Sequence, residues 1–351
     1  MANKIIVHGI GGCGINVTNE SFGKVSLLGE GFCEVTQKYI DTSTANISKV
    51  KNTSEKDFWL ITTKDKTKPT IKGSGGERRT HHLDISASVK EYITTNNWNG
   101  KKPSEFHFVV FSGSGGTGSV GGVILTQALI SRDIPTVVFL IGDSSNGLNT
   151  KNTMDTIASL DRIARMSNKP LSVVYFNNHE IANNSSLGRA EKEVNTKIVN
   201  IASVLSLFLS GSIDDIDEQD MCGLIDQSHY RRISVEPGLY NIAVYTKDIT
   251  VPNGVTPTVN RTLTIDNVES DSNLNLLHNK KGYVVNSNAR NIIKEDNFPV
   301  HLTSIANYFS IVQGELSKIE EQYNNIMAGI KNNSVMGTSD SDFDETTGLV
   351  L

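Results

Sequence analysis

The sequence is poor in the features that would tie it to an oxidising compartment, a membrane or a nucleic acid. It holds only three cysteines in 351 residues, Cys13, Cys33 and Cys222. An odd count without metal-ligand spacing argues against a disulfide framework and a zinc site, and for a reducing cytoplasm. No apolar run nears the roughly eighteen residues of a membrane span, so no membrane partner is expected. The N-terminus runs straight into Lys4-Ile5-Ile6-Val7, a strand-like stretch lacking the apolar region and cleavage site of a signal peptide. A basic excess is missing too. The net charge of −5 argues against direct nucleic-acid binding, though it leaves room for a local basic patch.

What remains is an ordinary globular composition, 37% apolar and 20% charged. The length allows two domains or one large one. The first half alternates strand-like runs with helical stretches. The runs are Ile5 to Val7, Phe58 to Ile61, Phe106 to Phe111, Thr136 to Ile141 and Leu171 to Phe176. Several are continuously apolar, as in parallel strands buried on both faces. Helices are expected over Val120–Ser131 and Thr153–Arg165. The fold class is therefore α/β, a doubly wound parallel sheet. A long helix follows, Ala190 to Leu209, amphipathic and then apolar nearly all round, which reads as a buried central rod. From Ile233 to Thr303 short β-like runs (Tyr240 to Thr246, Arg261 to Ile265, Gly282 to Val285) alternate with Pro, Gly and Asn turns, suggesting a smaller α+β domain. A last amphipathic helix is expected over Leu302–Ile330. The final residues, with Asp340, Asp342, Asp344 and Glu345 and no basic residue, form an acidic tail. The expected division is 1–189, a nucleotide-binding domain; 190–211, the central helix; 212–301, the α+β domain; 302–331, the C-terminal helix; and 332–351, the tail.

Two glycine-rich loops each follow a strand and precede a helix: Gly9-Ile10-Gly11-Gly12-Cys13-Gly14-Ile15-Asn16 and Ser112-Gly113-Ser114-Gly115-Gly116-Thr117-Gly118-Ser119. Glycines let backbone N–H groups approach phosphate oxygens, and the helix that follows presents its positive end. Gly73-Ser74-Gly75-Gly76 is a third candidate. The first loop alone fits a Rossmann protein equally well. A Rossmann domain has one such fingerprint, however, and here there are two. No Gly-Lys-Ser/Thr is present, so a triphosphate would rest on backbone rather than on a lysine.

With these loops the sequence resembles the tubulin/FtsZ superfamily. Gly115-Gly116-Thr117-Gly118-Ser119 is similar to that family's Gly-Gly-Gly-Thr-Gly-Ser/Thr-Gly signature, with Ser114 and Val120 in place of its first and last glycines. The resemblance is best over residues 4 to 222. Short length and acidic tail look most like the small phage and plasmid tubulins of the PhuZ and TubZ type. It implies GTP or GDP as ligand, with Mg²⁺. Gly11, Gly12, Cys13 and Asn16 would line the base and phosphates. Asp41 and Thr42 would form a second loop, and Gly75 and Gly76 would sense the γ-phosphate. Gly115, Gly116, Thr117, Gly118 and Ser119 would cradle the phosphates. Asn177 and Asn195 would contact guanine, whose edge a carboxamide can match; Asn177 and Asn178 also read simply as a turn after a strand. The family's Glu-Gly-x-x-Arg ribose motif is missing, and Asn152 is the substitute. No metal ligand is assigned, and no lysine or arginine stands out to neutralise phosphate charge.

Asp215-Ile216-Asp217-Glu218-Gln219-Asp220 fits the family's catalytic Asn-x-Asp-x-x-Asp/Glu loop, with Asp215 in place of asparagine. Asp217 and Asp220 would share one helix face and polarise the attacking water. The same residues also suit a helix N-terminal cap. Because the loop follows a helix of about twenty residues, it lies roughly 30 Å from its own nucleotide. The resemblance therefore implies a head-to-tail homopolymer in which one subunit completes the site of the next. The cargo would be phage or plasmid DNA in a bacterial cell, reached through a DNA- or capsid-bound adaptor. The acidic tail either stays in solvent or docks on a basic patch of Lys64, Lys66, Lys68, Lys72, Arg78 and Arg79. The alternative function is a monomeric Rossmann-type enzyme.

Overall fold

Runs of β-branched and aromatic residues become strands, and the stretches between them become helices, in a computed structural model that describes residues 4–50, 54, 57–63, 78, 81–100, 105–182, 187–225, 236–244, 258–266 and 278–334. The chain opens with β1 (Lys4–Ile10), α1 (Gly11–Val17) and α2 (Gly23–Val25), the two helices joined by a π-helical turn over Thr18–Phe22. Then come β2 (Glu34–Asp41), β3 (Phe58–Leu60), α3 (His82–Thr95), β4 (Glu105–Ser112), α4 (Gly116–Ile130), β5 (Thr136–Gly142) and α5 (Gly147–Met166). Next are β6 (Pro170–Asn177), α6 (Asn178–Ala182), α7 (Leu187–Ser210), β7 (Ile213–Asp214), α8 (Glu218–Leu224) and β8 (Gly238–Ala243). The chain continues through β9 (Val259–Ile265), β10 (Asn279–Val284), α9 (Ser287–Glu295), β11 (His301–Ile305) and α10 (Tyr308–Ser334).

One sheet carries all eleven strands, in the order β3-β2-β1-β4-β5-β6-β8-β11-β9-β10-β7. The strands from β3 to β8 pair in parallel, while β11 is antiparallel to both β8 and β9. Both faces are covered, which is why β4, β5 and β6 are nearly continuous apolar runs. On one face Phe22, Phe108 and Phe139 pack in the same core as Ile198, Leu205 and Phe208 of α7. On the other, Ile10, Phe111 and Leu140 share a core with Val89, Leu125, Leu160 and the Phe309, Val312 and Leu316 stripe of α10. Strand order turns at β1 and β4, so the carboxyl ends of those two strands flank a crevice, the usual ligand position in open α/β sheets.

Several boundaries differ from the sequence expectation. α4 starts at Gly116 rather than Val120, so the second glycine loop is itself the helix's first turn. That turn has free N–H groups in any helix. The last helix starts at Tyr308, because His301–Ile305 is a fully buried strand. Leu302, Ile305 and Phe309 satisfy a helical period, yet partners on both sides make 301–305 a strand. β2 and α3 were not singled out as elements, since neither is strongly apolar. Tyr323 of α10 donates its hydroxyl to the carbonyl oxygens of Ser145 (2.9 Å) and Ser144 (3.3 Å), just after β5.

Candidate functional site

Three loops meet at the carboxyl edge of the sheet. Gly11 sits in the left-handed region (φ 69°), and a Cβ there would lie 3.0 Å from the Gly118 nitrogen, so the first and second glycine loops touch. Gly14 presses on β4 so closely that a Cβ would fall 2.3 Å from the Val110 carbonyl oxygen. The Thr42 hydroxyl lies 2.9 Å from that of Thr117. Asp41 accepts from the Thr42 N–H (2.7 Å) and from Asn46 Nδ2 (2.8 Å), and Asn46 in turn lies over Gly12. Asp41 is buried, and burial raises its pKa against these hydrogen bonds. Ser119 turns its hydroxyl back on the Gly116 carbonyl. The first turn of α4 holds no acidic residue, leaving its positive end for an anion. Asn152 lies across this edge and donates to the Ser114 carbonyl at 3.0 Å. Gly75 and Gly76 lie outside the described residues.

The region expected to hold the base is formed by α1 and α7. Asn16 is exposed and Cys13 half-buried. Burial, and then the Glu191 carboxylate, push the Cys13 thiol up to about 12, so it stays neutral. Asn195 lies one turn beyond Glu191 on α7 and donates to the Glu20 carboxylate at 2.8 Å. Asn177 is buried and internally satisfied: Nδ2 donates to Ser144 and Glu180, and Oδ1 accepts from the His179 N–H. Its neighbour is different. Oδ1 of Asn178 is buried with no hydrogen-bond partner among the described residues.

The acidic segment lies at the other end of α7. Ser206 accepts from the Cys33 N–H and Ser210 donates to the Gly31 carbonyl, so that end of α7 lies beside the start of β2, at the opposite edge of the sheet from the glycine loops. Asp217 caps α8 and accepts from the Asp220 N–H at 2.9 Å, while Asp220 accepts from the Asp217 N–H at 3.3 Å. This reciprocal box satisfies two orphan donors of the helix. Arg261 and Lys280 stand 3.6 and 3.9 Å from the Asp220 carboxylate. Asp215 and Asp217 are exposed, and Asp220 is largely buried.

Residues 4–186 match the model of the tubulin/FtsZ family, GTPase domain. The chain belongs to the tubulin/FtsZ family. Among relatives it is similar to a phage tubulin-like protein of Pseudomonas phage 201phi2-1, 25% identical over 154 residues, which are 44% of this chain and 45% of that one. The aligned part thus spans less than half of that relative's length. The fold is similar to a protofilament of TubZ from bacteriophage PhiKZ, with TM-score 0.68, 20% identity and the whole of both chains covered. It is also similar to the phage tubulin PhuZ with GDP, with TM-score 0.66, 19% identity and both chains fully covered. Among the described residues no helix of this tubulin/FtsZ-family chain is long and apolar enough to cross a membrane.

The two glycine loops that the fold brings together were legible from residue type and from their place between a strand and a helix. Asn46 was missed, since a lone polar residue in a loop has no distinguishing pattern. Asn178 was noted only as part of a turn, and nothing in the sequence separates it from Asn177. Arg78 was read as part of a surface patch, but its side chain turns inward. Lys64, Lys66, Lys68, Lys72, Arg79 and the tail from residue 335 lie outside the described residues.

Proposed function

We propose that this chain is a filament-forming GTPase whose subunits stack head to tail, each acidic segment completing the nucleotide site of its neighbour. One observation carries the reading. The Cys13 loop lies beside Glu191 near one end of α7 and the acidic segment follows Ser210 at the other, nineteen residues on, or about 29 Å at 1.5 Å per residue. A subunit with both halves of a hydrolytic site so far apart needs a second copy. A contact between unlike ends that does not close makes a filament.

The triphosphate would rest on the backbone of Gly11, Gly12 and Gly115 to Ser119, with Thr42 and Thr117 offering hydroxyls. Cys13, Asn16, Asn195 and the asparagines after β6 would hold guanine. Asn178 suits this better than Asn177, because its orphaned oxygen can accept from the donors on guanine's N1 and N2. No group of three His, Cys, Asp or Glu side chains able to hold a metal exists among the described residues. Asp41 and the Thr42–Thr117 hydroxyl pair suit a hard cation held mainly by phosphate oxygens and water. Mg²⁺ would there neutralise charge on the phosphates. Asp217 and Asp220 would orient the attacking water, with Asp215 beside them at the exposed edge. Positioning of phage or plasmid DNA through an adaptor is the biological role consistent with the phage relatives.

The decisive measurement is turnover per molecule against protein concentration, with light scattering in parallel. Turnover rises with assembly under this reading; a constant value at high dilution would reject it. Asp220→Asn keeps an acceptor for the capping box but removes the charge. The variant should bind GTP and form filaments while turnover falls by about 10²-fold or more. Wild-type hydrolysis by Asp220→Asn would remove that residue from the mechanism.

A further inference from the structure

Arg78 lies two residues beyond Gly76, and its guanidinium is pinned to the edge of the candidate phosphate site. Nη1 donates to the Asn152 carbonyl oxygen and to Thr156 Oγ1, each at 2.9 Å. Thr156 is 2.9 Å from the Gly113 carbonyl oxygen, and Asn152 donates to that of Ser114. Arg78 therefore sits on the seam between α5 and the second glycine loop, beside the start of α4. Both of its acceptors are neutral oxygens. No carboxylate stands within 4.0 Å of it among the described residues. Nη1 makes both bonds, so Nη2 and Nε keep three N–H groups without an acceptor among the described residues.

A half-buried guanidinium with no carboxylate in contact, and only Asp155 acting from beyond ion-pair distance, leaves room for an anion to complete it. Burial does press its pKa below the usual arginine value, with Asp155 opposing, yet an arginine remains protonated at neutral pH. Its planar fork matches the paired oxygens of a phosphate.

We propose that Arg78 binds the terminal phosphate of the triphosphate and is the group by which this site tells GTP from GDP. The proposal rests on the nucleotide-site reading above. A diphosphate has no group to reach the free side of the fork. With a triphosphate, one guanidinium would join the terminal phosphate to α5 and, through Thr156, to the second glycine loop.

The test is calorimetric titration of the full chain, below the concentration at which it scatters light, with Mg²⁺ and either GDP or a non-hydrolysable GTP analogue. Arg78→Gln should weaken the analogue by roughly 10- to 100-fold, the effect of a charged hydrogen bond, and GDP by less than about threefold. Arg78→Lys, which keeps the charge without the fork, should recover part of the loss. Equal weakening of both ligands would make Arg78 a structural latch on α5 and overturn the proposal, as would unchanged affinities in both variants. A wild-type chain that binds neither nucleotide would instead reject the nucleotide site itself, and this inference with it.

Discussion

Gly11 shows how strictly single positions are constrained. Its φ of 69° and the 3.0 Å approach to Gly118 leave a side chain both strained and crowded. Gly11→Ala should therefore abolish nucleotide binding, measured by calorimetry, while lowering the midpoint of thermal unfolding only modestly. A second residue-scale prediction concerns the other side of the sheet. His8 is fully buried, with Nδ1 2.9 Å from the Tyr92 hydroxyl and Nε2 2.9 Å from His107 Nδ1. Burial, then His107, then Lys38 lower its pKa well below 6.5. In the unfolded chain a histidine takes its proton near 6.5, so the unfolded state binds more protons below that pH. Stability should be full above about pH 6.5 and fall as the pH drops beneath it. Urea melts at pH 7.5 and 5.5 would show the loss, and His8→Phe should flatten that slope while costing about 1–3 kcal/mol at pH 7.5 for the polar partners left unmet. Residue roles were the least legible layer of the sequence. The glycines announced themselves by type. Asn177 and Asn178 differ only in which one the fold satisfies, and Arg78 declares its place only through partners more than seventy residues away.

At the scale of elements, strong periodicity was the reliable guide. α7 was expected over Ala190–Leu209 and runs over Leu187–Ser210, because its apolar half has one way to be buried. Phe208 is fully buried in the core beneath it, and Phe208→Ala should cost about 3–5 kcal/mol in a denaturant melt. Where two periods coincide the reading fails. Leu302 and Ile305 suit the helix that follows as well as the strand they join, and only pairing with β8 and β9 decides. The start of α8 has a comparable ambiguity of purpose. Its two aspartates form a capping box, so Asp217→Ala should lower stability by about 0.5–2 kcal/mol whatever it does to turnover. That loss, seen by thermal melting without nucleotide, must be separated from any catalytic effect. The Asn substitution at Asp220 does so, since an amide oxygen can still accept.

For the whole molecule, the strands on either side of α7 belong to one sheet, which runs from β6 through β8 to β7. One further link crosses the molecule. Tyr323 rests midway along α10 on the carbonyls of Ser144 and Ser145, directly after β5. From there to Ser334 the helix continues for eleven residues, about 16 Å. Any rearrangement of that loop would tilt the helix, whose far end is where the acidic tail begins. A shift at the end of β5 is thereby carried to the far end of α10, more than a dozen ångströms from where it arose.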